Sequence, residues 1–204
     1  MATYEEIVEA AFADKNNTAI ALPNSKVNEI IRKSYDTDEP FTYTRTQLWD
    51  MEDKKAHHPD KYLGHIIRPG SLKIFDERRE GNVEYFTRVT DQRRWKDFAE
   101  FTTVIERVCV DHDTRRAFFL GTATAETPTG EKIVAGDKQA LFHVEHSVVG
   151  SEDVPENVWR IVHLTDSPDA ELLEFFKKMG ESPYLREFNE VYIREDLGKR
   201  LDRK

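Results

Sequence analysis

Four strand-like segments follow one another between residues 101 and 165, and they constrain what the rest of the chain can form. They cover residues 102–111, 115–125, 138–149 and 158–165. Their apolar residues alternate or run continuously, which is typical of strands that are buried on one or both faces. Short turn signals separate the segments, so neighbouring strands are expected to pair antiparallel. Sequence with helical periodicity flanks the block, which predicts a sheet covered by helices.

The flanking elements complete this prediction. Two further strands are expected at residues 71–75 and 83–91, and Gly121 inside a later strand predicts a bulge or a sharp bend. Capping signals and periodicity predict helices at residues 3–13, 23–34, 44–56, 167–179 and 183–197. We expect the charged tail, residues 198–204, to fray. The predicted class is α+β: a strongly curved antiparallel sheet, a cone or half-barrel, with N-terminal helices packed on it and extra C-terminal helices.

Size and charge narrow the classes of protein to which the chain can belong. With 204 residues, of which 38% are hydrophobic, we expect a single domain around one core. A net charge of −9 repels phosphate backbones, so no nucleic-acid partner is expected. The single cysteine, Cys109, cannot form a disulfide within the chain, which fits a reducing compartment. The N-terminal residues contain no basic segment and no long apolar run, so we expect neither a signal peptide nor a membrane span, and a cytoplasmic location.

Glu106 is the first candidate for chemistry. It lies among valines on one face of the segment 102–111. If that face lines a cavity, loss of solvent would raise the pKa of Glu106 and make it a usable acid or base. Alternatively, Glu106 pairs with an arginine of a neighbouring strand, such as Arg88 or Arg115. Both interpretations remain open at this stage.

Histidines supply the other candidates. His146 shares an apolar face with Phe142 and Val144, where it is either a polar group in a pocket or a satisfied core histidine. His143 and Glu145 point to the opposite face. With His163 on the next strand they could form a two-histidine, one-carboxylate metal site. The triplet from Asp111 to Asp113, with His112 at its centre, invites the same idea, but successive side chains of a turn diverge.

The order of elements over roughly residues 44–166 resembles the NTF2-like, or SnoaL-like, cone fold. The late strand that carries this resemblance reads Asn157-Val158-Trp159-Arg160-Ile161-Val162-His163. The resemblance implies N-terminal helices packed into the concave side of a bent sheet, a blind apolar pocket with a few polar groups, and a homodimer formed through the outer sheet face. The extra C-terminal helices depart from the smallest members and could cover that face. A lipocalin-like or START-like barrel remains the alternative.

What the resemblance implies about function is an enzyme without cofactor or metal that acts on a small, largely apolar metabolite by acid–base chemistry. It would be an isomerase or a lyase, such as a cyclase or dehydratase, for example in polyketide or terpenoid tailoring. The candidate catalytic residues are His146, Glu106, His163 and Asp50, and the candidate substrate-binding residues are Trp49, Tyr85, Trp159 and Arg88. One alternative is a non-catalytic module that binds a small molecule or dimerises. The other is a metal-dependent enzyme that uses His143, Glu145 and His163.

Overall fold

The computed structural model describes residues 2–204 and contains a large curved antiparallel sheet with helices packed on it. The helices are α1 (Tyr4–Ala13), α2 (Val27–Ser34), α3 (Arg45–His57), α4 (Pro59–Tyr62), α5 (Ala170–Gly180) and α6 (Glu187–Val191), the last continued by a π-helical turn (Tyr192–Asp196). The strands are β1 (Thr18–Ala21), β2 (Ser25–Lys26), β3 (Tyr35–Asp36), β4 (Lys73–Glu80), β5 (Val83–Arg94), β6 (Asp97–Asp111), β7 (Arg116–Gly121), β8 (Thr124–Glu126), β9 (Lys132–Val134), β10 (Phe142–Gly150), β11 (Pro155–His163) and β12 (Asp202–Arg203). The predicted α+β class is confirmed.

Eight strands form the main sheet. Their order is β1-β11-β10-β7-β6-β5-β4, and β2 pairs with β11 beside β1. Register shifts lie between Phe75 and Arg78 on β4 and between Arg93 and Arg94 on β5. Among residues 2–204, β1 and β4 each keep one unpaired edge, so the sheet is not a closed barrel.

Gly121 has a role different from the predicted bulge. It is the last residue of β7 and pairs in register with Glu106 of β6. A Cβ atom at this position would lie 2.4 Å from the carbonyl oxygen of Phe142, much closer than any real contact. The glycine therefore permits a close backbone approach between β7 and the start of β10.

The two faces of the sheet pack against different helices. The face covered by α3, which we call the inner face, contributes Val108, Val144 and Ile161 to the main core. The opposite, outer face contributes Cys109, Phe118 and Leu120, which pack with Val8 of α1. No helix in the described part of the chain is long and apolar enough to cross a membrane.

The C-terminal segment is ordered rather than frayed, so that prediction was wrong. Strand β12 pairs with β3, and the Leu201 side chain is 1% exposed. Arg203 donates two hydrogen bonds to the buried carboxylate of Glu190. A buried apolar side chain and a buried carboxylate that needs a positive partner hold the end of the chain in place.

Candidate functional site

A small cavity lies between the inner face of the sheet and the helices α3 and α6. The volume of the cavity is about 60 Å³. Its walls are mainly apolar and aromatic, with a few ionisable groups. The lining residues that matter below are Lys55, Arg88, Trp95, Glu106, His146 and Trp159. This composition is typical of sites for small molecules.

Helix α3 supplies two charged side chains to this region because of its periodicity. A capping box at Thr44 and Gln47 sets its start. Residues four and seven positions after Leu48 share its buried face, and these positions hold Glu52 and Lys55, which are 0% and 2% exposed. An otherwise apolar helix face therefore carries a carboxylate and an amine into the core, where both require polar partners.

Glu52, Lys55 and His146 form one proton-sharing cluster. The Lys55 Nζ atom lies 2.5 Å from Glu52 Oε2 and 2.6 Å from His146 Nδ1. The same Nδ1 atom lies 2.9 Å from Glu52 Oε2, and Asn157 donates a hydrogen bond to the other carboxylate oxygen at 2.9 Å. Nδ1 can accept a proton from the ammonium group or donate one to the carboxylate, but not both at once. The cluster can therefore move a proton within hydrogen-bond distance.

Burial and the neighbouring charges set the protonation of this cluster. Burial, reinforced by the Lys55 charge, lowers the pKa of His146 to about 4, so the imidazole is neutral near pH 7. Burial also lowers the pKa of Lys55 to about 8, despite the opposing charge of Glu52. For Glu52, burial acts upwards, but the charges of Lys55 and His146 outweigh it and hold the pKa at about 2. A neutral imidazole thus lies beside an amine that releases its proton at unusually low pH.

A second buried pair, Arg88 and Glu106, also lines the cavity. The two residues face each other across β5 and β6, and Arg88 donates to Glu106 Oε2 at 2.9 Å and 2.6 Å. Arg88 also donates to the carbonyl oxygen of Ala56, near the end of α3, at 2.8 Å. The alternative in which Glu106 pairs with an arginine is therefore observed. Because Arg88 joins the sheet to the helix, the pair has a structural role as well as a place in the cavity wall.

His163 lies near the cavity but not in its lining. It is 0% exposed, between the rings of Phe142 and Phe176. Neither ring nitrogen has a hydrogen-bond partner in the described residues, and burial lowers the pKa of His163 to about 4. The ring is neutral near pH 7 and has no proton-transfer partner at this position.

Three predicted site residues lie away from the cavity. Asp50 accepts hydrogen bonds from Lys54 and Tyr192 on another side of α3. Trp49 donates its indole N–H to His112 at 3.2 Å. Tyr85 packs beside Tyr4 of α1 on the outer face. Only His146, Glu106, Trp159 and Arg88 of the predicted set line the cavity together.

The three proposed metal ligands do not converge. His163 pairs with Phe142 across β10 and β11, so its side chain lies on the inner face with that residue. His143 and Glu145 alternate with Phe142 and project from the outer face. Both oxygens of Glu145 are already bound, one by Arg116 and one by Arg160. The geometry therefore contradicts a metal site formed by these three residues, because a sheet separates the ligands.

A different group with ligand-like spacing, formed by Asp53, Glu84 and His112, has another explanation. The Trp49 indole N–H can only donate, so His112 Nδ1 must accept and the proton of the neutral ring lies on Nε2. That Nε2 faces Glu84 Oε1 at 3.3 Å. A hydrogen bond to Asp53 raises the pKa of His57, whose Nε2 lies 3.2 Å from Glu84 Oε2, and the Arg79 guanidinium lies 3.1 Å from Glu84 Oε1. Hydrogen bonds and charge pairing thus occupy His112 and Glu84, while Asp53 Oδ1 has no hydrogen bond and lies 3.5 Å from His57 Nδ1.

Sequence reasoning missed the most distinctive part of the site. Glu52 and Lys55 were recognisable, because they fall on the buried face of α3 at helical spacing from Leu48. The centre of the Phe188 ring lies 3.7 Å from Lys55 Nζ. No local pattern shows that this residue of a distant helix contacts an amine of α3.

Comparison with known proteins concerns the fold. No family model matches the chain, and no curated protein sequence matches it. The crystal structure of Ara h 8.0201, a Bet v 1-like protein, matches with a TM-score of 0.50 and 9% identity over 86% of this chain and 97% of that one. The crystal structure of Zhui aromatase/cyclase from Streptomyces sp. R1128 gives a TM-score of 0.43 and 8% identity over 87% and 93% of the two chains.

At 9% identity, the likeness to Ara h 8.0201 extends to the fold alone. The chain thus belongs to the class of α+β proteins in which helices pack on a curved antiparallel sheet. Of the expected NTF2-like resemblance, only the curved sheet with helices packed on it is shown, and Ara h 8.0201 is a Bet v 1-like rather than an NTF2-like protein.

Proposed function

We propose that this protein is an acid–base enzyme, an isomerase or lyase that needs no cofactor, acting on a small uncharged molecule held in the inner cavity. The observation that carries the proposal is the buried cluster of Glu52, Lys55 and His146, whose polar atoms lie 2.5–2.9 Å apart beside the cavity. A neutral imidazole coupled to an amine and a carboxylate is suited to removing and returning a proton.

The cavity limits the size and charge of the substrate. A cavity of about 60 Å³ has room for roughly four to six water molecules. A polyketide or terpenoid would need a considerably larger space, so the proposal is narrowed to a compact substrate. The positive charges of Lys55 and Arg88 are matched by Glu52 and Glu106, which favours a neutral ligand over an anion.

Exchange of α-protons in a probe ketone tests this function. Butanone is uncharged and has about the size that the cavity accepts. The full chain is incubated with butanone in D₂O, and deuterium incorporation is followed by NMR. We expect the wild type to catalyse exchange, and His146→Asn to lose about 10²–10⁴-fold in rate. His58→Asn, which alters an exposed histidine near the end of α3, is the matched control and should retain the rate.

A non-catalytic binding protein is the second candidate. It is favoured by the complete pairing of Arg88 with Glu106 and with the Ala56 carbonyl group, which leaves that arginine in a structural role. A binder would take up butanone, detected by the fluorescence of Trp95 and Trp159 in the cavity wall, without catalysing exchange. His146→Asn would then change its affinity by only a few-fold. If the protein shows neither exchange nor binding of butanone, the proposed enzyme is eliminated.

A further inference from the structure

Lys55 differs from every other lysine in residues 2–204, because it alone is buried. It lines the cavity and its Nζ atom lies 3.7 Å from the centre of the Phe188 ring. The preceding residue, Lys54, is 41% exposed and pairs with Asp50 at 2.7 Å. Two adjacent lysines on one helix therefore occupy opposite environments, one in solvent and one in an apolar cavity.

We propose that Lys55 is a nucleophilic amine that condenses with the carbonyl group of a small uncharged aldehyde or ketone in the cavity, forming an imine. This inference rests on the proposed acid–base function and specifies its substrate class. It is carried by the position of the amine in the cavity wall, its contact with His146 Nδ1 and its burial, since Lys55 is only 2% exposed.

The reaction needs no reagent beyond the amine and the carbonyl compound. The Nζ lone pair forms a bond to the carbonyl carbon while the carbon–oxygen π electrons move to oxygen, which takes up a proton. The resulting carbinolamine loses its hydroxyl group with a proton as one water molecule, and the carbon–nitrogen double bond forms. His146 Nδ1, 2.6 Å from Nζ, can accept the proton that the amine releases and return it to the departing oxygen.

The surroundings favour the free amine that this step requires. Burial lowers the pKa of Lys55 to about 8, and the Arg88 charge acts in the same direction. Four charged or titratable groups face the amine or line the same cavity: Glu52 on α3, Arg88 on β5, Glu106 on β6 and His146 on β10. An exposed lysine has a pKa of about 10.4 and is therefore almost wholly protonated at pH 8.

The cavity wall also offers unused donors to a carbonyl compound. The indole N–H groups of Trp95 and Trp159 are buried and have no hydrogen-bond acceptor among the described residues. Both residues line the cavity. Buried donors in a native structure are normally paired, and a carbonyl oxygen is a suitable acceptor for either of them.

Reductive trapping tests the inference on the full chain. Butanone is incubated with the protein and sodium cyanoborohydride at pH 8, which reduces an imine to a stable secondary amine. Intact mass and peptide mapping then locate the butyl group. We expect one adduct, on Lys55, whose yield rises with pH through about 8. Lys55→Arg keeps a positive charge opposite Glu52 and cannot form an imine, so it should lose the adduct, whereas Lys54→Arg should retain it.

The remaining outcomes separate this inference from the proposed function. Catalysed exchange of the butanone α-protons without an adduct on Lys55 would overturn the imine and leave the acid–base enzyme standing. Adducts spread over exposed lysines, and equal in Lys55→Arg, would also overturn the imine. A protein that neither catalyses exchange, nor binds butanone, nor forms an adduct would overturn both the imine and the proposed function. If Lys55→Arg folds poorly by circular dichroism, peptide mapping of the wild-type protein still decides whether the modified residue is Lys55.

Discussion

Lys55 Nζ and His146 Nδ1 lie 2.6 Å apart, although the two residues are 91 positions apart in the chain. Helix α3 provides one and the central strand β10 provides the other. The contact joins a helix to the inner face of the sheet through a proton that either group can hold. Stability and chemistry therefore depend on the same buried atoms.

Removing both members of the buried Glu52–Lys55 pair is expected to cost less than the sum of the costs of removing each one. Lys55→Met leaves a carboxylate that is 0% exposed without its ammonium partner, and Glu52→Gln leaves the amine without its carboxylate. Each change should lower the free energy of unfolding by about 3–5 kcal/mol. The double variant should lose clearly less than the sum, as measured by urea denaturation. Simple additivity would mean that the pair does not interact.

Arg88 and Glu106 should affect stability more than chemistry. Arg88→Met removes the bonds to Glu106 and to the Ala56 carbonyl group, so we expect a loss of about 3–5 kcal/mol in unfolding free energy. Glu106→Gln retains an acceptor for Arg88 and should lose less. In folded Glu106→Gln, butanone exchange should stay within a few-fold of the wild-type rate. A drop as large as that of His146→Asn would instead make Glu106 a proton-transfer group.

His163 should make the protein less stable in acid. Its pKa is lowered from 6.5 to about 4, so between these values the unfolded chain binds a proton that the folded chain does not. The neutral His163 therefore costs no stability above pH 6.5. As the pH falls from 6.5 towards 4, the free energy of unfolding decreases, and the decrease is about 2 kcal/mol at pH 5. His163→Leu removes that loss and two unpaired buried nitrogens. Urea denaturation at pH 8 and pH 5 should show a smaller difference than in wild type, whereas His58→Asn should behave like wild type.

The C-terminal strand should contribute measurably to folding. Deleting residues 201–204 exposes the site of Leu201 and removes Arg203 from Glu190, whose remaining positive partner is Arg194 at 3.3 Å. We expect a loss of about 2–4 kcal/mol in unfolding free energy. Arg200→Gln alters only exposed ion pairs and should leave the urea midpoint unchanged. A truncated chain as stable as wild type would show that the tail is dispensable.

The alternation of apolar and polar residues predicted the central strands and the face on which each side chain lies. Alternation at Phe142, Val144 and His146 correctly placed these residues on one face of β10, because side chains on a strand have a period of two. The pairing of Glu106 with Arg88 was accessible as one of two alternatives. The metal interpretation failed because the face of His163 relative to His143 depends on the register between two strands.

Local periodicity, caps and turns were sufficient to predict an α+β protein with a curved antiparallel sheet, because each of these signals acts over a few residues. Which polar groups meet depends on the tertiary packing. Lys55, His146 and Phe188 come from a helix, a strand and a second helix far apart in the chain, and only the packing angle of α3 on the sheet places them together. Trp49, Asp50 and Tyr85 carry the same kinds of functional groups, but their positions on α3 and β5 direct them away from the cavity. Chemistry of this kind depends on distances of a few ångströms between distant segments, and local sequence pattern does not specify those distances.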